Sequence, residues 1–149
     1  MAREFPTIVN FGSAFRFALE AEQAGADFAA AAGVLAPDDV WRDKLEELVC
    51  AHDDRVQKLM ALRWQINEMT LEPLHGVDGT PFTAVLGAEP ATSWPEAAAQ
   101  LADVEDGIAG YHEAFVAQAQ GVLAAQARSF SKAATQARDA ASQLRAMLG

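Results

Sequence analysis

The chain has 149 residues, 51% of them hydrophobic, and 21 acidic against 11 basic side chains give it a net charge of −10. This length fits one domain with one core, no apolar run approaches the roughly 20 residues of a membrane span, and the excess of carboxylates opposes binding to nucleic-acid phosphates. Cys50 is the only cysteine, which excludes a cysteine-rich metal site. The N-terminus lacks the apolar segment of a signal peptide. We therefore expect a single cytoplasmic domain over residues 1–149 with no membrane partner.

Two helices are predicted in the first half of the chain. Apolar residues recur at spacings of three and four over residues 11–33 and again over 38–69, which is the pattern of core-facing helices. Gly33 suits a C-terminal cap of the first helix, and Asp38 suits the N-cap of the second. Because the turn between them is short, we expect the two helices to be antiparallel.

The periodicity is lost between Thr70 and Ser93, where three prolines and three glycines indicate a loop. A loop of this length in a four-helix protein would cross from one end of the bundle to the other, held to its surface by Phe82, Val85 and Leu86. Two further helices are predicted at 94–118, with Ser93 as N-cap, and at 120–148. The expected fold is therefore an all-α, antiparallel four-helix bundle with a long crossover between helices two and three.

The predicted core faces contain ionisable residues where apolar ones would be expected: Glu22, His52, and Glu105 with His112. An unpaired buried ion costs several kcal/mol, so something must compensate these groups. Glu105 and His112 are two helical turns apart, about 10 Å along the axis, and can line one cavity. The two could bind the same ion only if their side chains extended far toward each other. Glu20 and Asp27, by contrast, fall on the flank or the solvent side of the first helix.

Three segments carry a resemblance to a known family: "ALEAEQAGADF" around Glu22, "LEELVCAHDDRVQKL" around His52 and "LADVEDGIAGYHEAF" around Glu105. With the long crossover, they resemble the ferritin-like superfamily, most closely its rubrerythrin-like branch. The resemblance implies a di-iron site made of one Glu from each of two helices and a Glu-x-x-His pair from each of the other two. Glu22 and Glu105 match the lone glutamates.

The two Glu-x-x-His pairs are not matched by this sequence. Their positions fall on His52 and Arg55 in helix two and near Ala137 and Ala140 in helix four. Two iron ions need several bridging carboxylates, and an arginine repels a cation. A complete di-iron centre is therefore not expected, which argues against an enzyme; if the protein is an enzyme, the resemblance implies a di-iron-type oxidoreductase.

Two hypotheses of function remain. In the first, Glu22, His52, Arg55 and Glu105 form a buried ion network, and the protein is a structural or binding module that acts as a homodimer or larger assembly. In the second, Glu22, His52, Glu105 and His112 hold a single Fe, Mn or Zn ion, which makes the protein a metal-binding protein or an oxidoreductase. The first hypothesis requires the guanidinium of Arg55, which is always protonated, to point toward the glutamates.

The remaining polar and aromatic residues are assigned no site. His75 and the pair Asp53 and Asp54 are expected to be solvated, and the three tryptophans are expected in the core or at an interface. Trp64 and Phe17 are predicted to be exposed on helix flanks, where they are candidates for a subunit interface. The sequence does not indicate a protein partner or a small-molecule substrate.

Overall fold

The computed structural model describes residues 3–149, and within that range the chain contains helices and no strand. Helix α1 spans Phe11–Leu35 and begins at a reciprocal cap, in which Asn10 and Ser13 each accept a hydrogen bond from the other's backbone N–H. Helix α2 spans Asp39–Gln65, and its cap is the predicted one, because the Asp38 carboxylate accepts from the Trp41 N–H at 2.9 Å. The predicted all-α class is confirmed.

The end of α1 differs from the prediction. The helix continues through Gly33 to Leu35, and its C-cap is Ala36, whose backbone is extended with ψ of 136°. Ala36 precedes Pro37, and the proline ring excludes the helical conformation from the residue before it. The predicted glycine cap at Gly33 is therefore wrong, and the proline ends the helix.

Three more helices and one 3₁₀ turn complete the chain. Helix α2 is four residues shorter at its C-terminus than the predicted 38–69, because a 3₁₀ turn over Asn67–Met69 follows it. Helix α4 spans Trp94–Ala119 and helix α5 spans Ala124–Leu148, close to the predicted bounds. The Ser93 side chain, at the N-cap of α4, makes no capping hydrogen bond. A short helix, α3, spans Thr80–Leu86 inside the segment predicted to be a loop.

The four long helices share one hydrophobic core. Residues 36–38 turn α2 back along α1. Helix α4 also runs opposite to α1, since Phe15 packs on Phe115 near one end and Gly25 faces Ile108 further along. Helices α2 and α4 therefore run parallel on opposite sides of the core, and their N-termini meet where Trp41 and Trp94 pack with ring centres 4.8 Å apart.

The segment between α2 and α4 is attached to the N-terminal part of the chain. Backbone hydrogen bonds join Leu74 to Val9 and Gly12 to Thr70. Helix α3 then packs against α4, where Leu86 is buried and Phe82 and Val85 are partly buried, in agreement with their predicted role. A Cβ on Gly110 of α4 would lie 2.7 Å from the Phe82 ring, so glycine permits this close approach.

The predicted exposure of Phe17 is wrong, whereas that of Trp64 is confirmed. Phe17 is only 1% exposed, since its ring stacks on Tyr111 and is covered by Phe5 from the N-terminal segment. Gly79 of the crossover also lies against it. Trp64 is 70% exposed near the end of α2. Within residues 3–149, no helix is both long enough and apolar enough to cross a membrane.

Candidate functional site

Four ionisable side chains meet in the middle of the core. Glu22 comes from α1, His52 from α2, and Glu105 and His112 from α4, and all four are 0% exposed. The residues selected from the sequence as candidate ligands are thus brought together at one place. The stacked rings of Phe115 and Phe130 lie along one side of the cluster and exclude water from that side.

Glu22 is the centre of this cluster. Its Oε1 accepts hydrogen bonds from His52 Nδ1 at 2.7 Å and from Arg55 Nε at 2.9 Å, and its Oε2 accepts from His112 Nε2 at 2.7 Å. Burial alone would raise the pKa of the Glu22 carboxyl, but the hydrogen bonds from His112 and His52 and the positive charges around the carboxylate outweigh it. The pKa of Glu22 therefore lies far below its usual range, and the side chain is a carboxylate.

His52 lies between two carboxylates. Its Nδ1 faces Glu22, and its Nε2 faces Glu105 Oε1 at 2.5 Å. Because an ionised carboxylate only accepts hydrogen bonds, both ring nitrogens must donate, and the ring is an imidazolium. Burial lowers the pKa of His52, but the neighbouring Glu105 and Glu22 raise it to about 9.

Arg55 points into the protein and is 7% exposed. Besides its bond to Glu22, its guanidinium donates to Gln136 Oε1 on α5 at 3.3 Å. The other terminal nitrogen of Arg55, Nη2, lies 3.0 Å from His52 Nδ1. Because both nitrogens carry protons in this arrangement, that contact is not a hydrogen bond. Two carboxylates, Glu22 and Glu105, thus face two cations, His52 and Arg55.

Two polar atoms of the cluster have no partner among the described residues. Glu105 Oε2 and His112 Nδ1 are buried and make no hydrogen bond. Leaving such a group unsatisfied costs about 1–3 kcal/mol. Glu105 Oε2 offers a free lone pair, and His112 uses its other ring nitrogen for the bond to Glu22.

Gly25 is the residue of the site to which the sequence analysis assigned no role. A Cβ at this position would lie 2.6 Å from His52 Nε2 and 2.7 Å from the Ile108 side chain. Glycine therefore leaves the space through which the His52 ring reaches Glu105 on the opposite side of the core. A single glycine inside an alanine-rich helix was the available signal, because glycine weakens a helix interior unless packing requires it.

The other residues considered from the sequence lie outside the cluster. Ala137 and Ala140 are buried and offer no side-chain donor or acceptor. Glu20 and Asp27 both pair with Arg3 on the outside of α1. The exposed residues among those considered are Asp53, Asp54, His75 and Cys50.

A di-iron centre does not fit these residues. The Arg55 guanidinium is bonded to Glu22, which a di-iron site would need as a ligand, and the matching positions on α5 are the alanines Ala137 and Ala140. Among residues 3–149, no group of three or more His, Cys, Asp or Glu side chains is arranged to hold a metal ion. In comparisons with known proteins, no protein-family model, no curated protein and no solved structure matches this chain.

Proposed function

We propose that the chain is a ferritin-like four-helix bundle of the rubrerythrin-like kind, with an ion network where that family has its di-iron centre, and that it serves as a structural or binding module. The observation that carries the proposal is the Arg55 guanidinium bonded to Glu22 inside the core. The long crossover and the opposed directions of neighbouring helices support the bundle assignment. The pairing of two buried carboxylates with the cations His52 and Arg55 supports a core that is complete without metal.

The network gives the bundle a defined register. Glu22, His52 and Glu105 connect three helices, and a slip of one helix by one residue would leave buried charges without partners. Under this proposal the core has a single rigid packing arrangement, and the protein binds its partners through its surface.

Self-association belongs to the same proposal. Trp64 is 70% exposed and Met60, one turn earlier on α2, is 44% exposed, and such apolar side chains together are typical of interfaces. Light scattering across micromolar concentrations is expected to detect a dimer that Trp64→Ser and Met60→Ser weaken. A protein that remains monomeric throughout this range would contradict self-association without affecting the core assignment.

Metal analysis tests the core assignment. Protein purified without chelators is expected to contain Fe, Mn and Zn well below one atom per chain, and Glu105→Gln is expected to leave those contents unchanged. Stoichiometric metal in the wild type that is lost in Glu105→Gln would overturn the proposal.

A second candidate function is binding of a single Fe, Mn or Zn ion. It is favoured by the unsatisfied Glu105 Oε2 and His112 Nδ1, because carboxylate oxygen and imidazole nitrogen are common ligands of these metals. If this function is correct, added Zn or Mn raises the melting temperature by linkage, and His112→Gln removes that increase.

A further inference from the structure

The three lysines of this acidic chain all line one side of the molecule. The sequence contains only Lys44, Lys58 and Lys132, and each lines the groove between α2 and α5. These two helices approach each other less closely than the other neighbouring long helices do, which leaves the groove open. A concentration of positive charge on a chain with a net charge of −10 indicates a local preference for anions.

The half of this groove nearest the end of α2 contains cations and no carboxylate. It is a cavity of about 260 Å³ that Arg55, Lys58 and Lys132 line together with the apolar side chains of Leu59, Leu62 and Ala133. We call it the cationic cavity. The neighbouring half also contains Arg55 and Lys58, but it differs because three carboxylates, Glu47, Asp54 and Asp139, line it together with Lys44.

The two exposed lysines of the cationic cavity have no partner in the protein. Within residues 3–149, neither Lys58 nor Lys132 makes a hydrogen bond or an ion pair, whereas Lys44 pairs with Glu47. Arg55 has five N–H bonds, and its bonds to Glu22 and Gln136 use two of them. A buried guanidinium with unused donors thus lines the same cavity as two unpaired ammonium groups.

The geometry points to a binding site for a small amphiphilic anion in the cationic cavity. The anionic group would lie against Arg55, Lys58 and Lys132, and its apolar part against Leu59, Leu62 and Ala133. If each non-hydrogen atom takes about the 30 Å³ of a water molecule in the liquid, the cavity holds about nine, the size of a medium-chain carboxylate. The inference rests on the lysines and the cavity, and it holds whether or not the core binds metal.

Calorimetric titration with octanoate, octyl phosphate and 1-octanol tests this site. We expect both anions to bind more tightly than about 10 mM, as suits a ligand of this size, and octanol to bind at least tenfold more weakly. The better of the two anions identifies the headgroup as carboxylate or phosphate. Equal binding of octanol, or no binding of either anion, would overturn the inference.

Lysine variants locate the binding. Lys58→Gln with Lys132→Gln is expected to weaken octanoate binding at least tenfold. Lys132→Gln alone and Lys44→Gln each remove one charge, the first from the cationic cavity and the second from the acidic half of the groove. Lys44→Gln is therefore the matched control of Lys132→Gln, with an expected change below twofold. Lys58 and Lys132 are exposed and the Lys44 side chain is 13% exposed, so circular dichroism and the melting temperature check that each variant is folded, and Arg55 stays intact in each. Equal losses in Lys132→Gln and in Lys44→Gln would show general electrostatic attraction and refute a site in the cationic cavity.

Discussion

Replacing Arg55 by methionine isolates the charge that this residue contributes to the core. Methionine fills much of the same volume, while the two buried carboxylates lose the guanidinium that faces Glu22. The uncompensated Glu22 is then expected to take up a proton. With an unfolded-state pKa near 4.3, protonation at pH 7 costs about 1.4 kcal/mol for each of roughly 2.7 pH units, which is about 4 kcal/mol. This agrees with the roughly 3–5 kcal/mol lost when one partner of a buried ion pair is removed.

The same calculation gives a pH dependence that loss of packing would not produce. At pH 5 the protonation costs only about 1 kcal/mol, so the difference in free energy of unfolding between wild type and Arg55→Met should shrink by roughly 3 kcal/mol. Urea denaturation at the two pH values measures it. Arg138→Met is the matched control, because Arg138 forms its ion pairs on the surface with a side chain that is 47% exposed. Its expected loss is below about 1 kcal/mol, and a loss of that size for Arg55→Met at pH 7 would refute the ion-network reasoning.

Other consequences of the core are open to direct measurement. Stability in urea should be greatest between about pH 4.5 and 6.5, because Glu22, with its lowered pKa, stabilises the fold above its unfolded-state pKa and loses this contribution as the pH falls. The contribution of His52 is complete below pH 6.5 and is lost as the pH rises through its pKa of about 9, so wild type should lose stability between pH 6 and 9 and His52→Gln should lose much less. Gly25→Ala should lower the melting temperature, corresponding to about 1–3 kcal/mol of overpacking. Tyr111→Phe should cost about 1 kcal/mol in urea denaturation, because the buried hydroxyl donates to a backbone carbonyl of α1 at 2.6 Å.

The glycine prediction has a control in the same helix. A Cβ at Gly33 would meet its nearest heavy atom only at 4.0 Å, so Gly33→Ala is expected to raise the free energy of unfolding by about 0.5–1 kcal/mol through helix propensity. A stabilising Gly25→Ala would mean that the His52 ring does not need the space beside α1.

The sequence allowed the helices and the buried cluster to be predicted because both depend on periodicity. The positions of Glu22, His52 and Glu105 in otherwise apolar faces follow from the 3.6-residue repeat, and the bounds of α1, α2 and α4 agree to within a few residues wherever a cap or a proline marks them. Periodicity also places Arg55 one turn after His52, although it does not by itself determine which glutamate oxygen the guanidinium contacts.

Features that depend on contacts between distant segments could not be predicted in this way. Phe17 lies on a helix flank by its spacing, and it is buried only because residues of the N-terminal segment and the crossover pack over it. Helix α3 is one and a half to two turns long, too short for a periodic signal, and its packing on α4 depends on glycines in the other helix. Lys58 and Lys132 are 74 residues apart in the sequence, and nothing in either local pattern distinguishes them from ordinary surface lysines.

The wide separation of the core partners along the chain affects the kinetics of folding. Glu22 and His52 are 30 residues apart, His52 and Glu105 53, and Glu22 and His112 90. The last two of these bonds can form only after the crossover has brought α4 against the first helix pair, and closing so long a loop opposes their early formation. Interactions absent from the transition state slow unfolding and leave the folding rate almost unchanged. The buried charges should therefore mainly lower the unfolding rate and so prolong the lifetime of the native state.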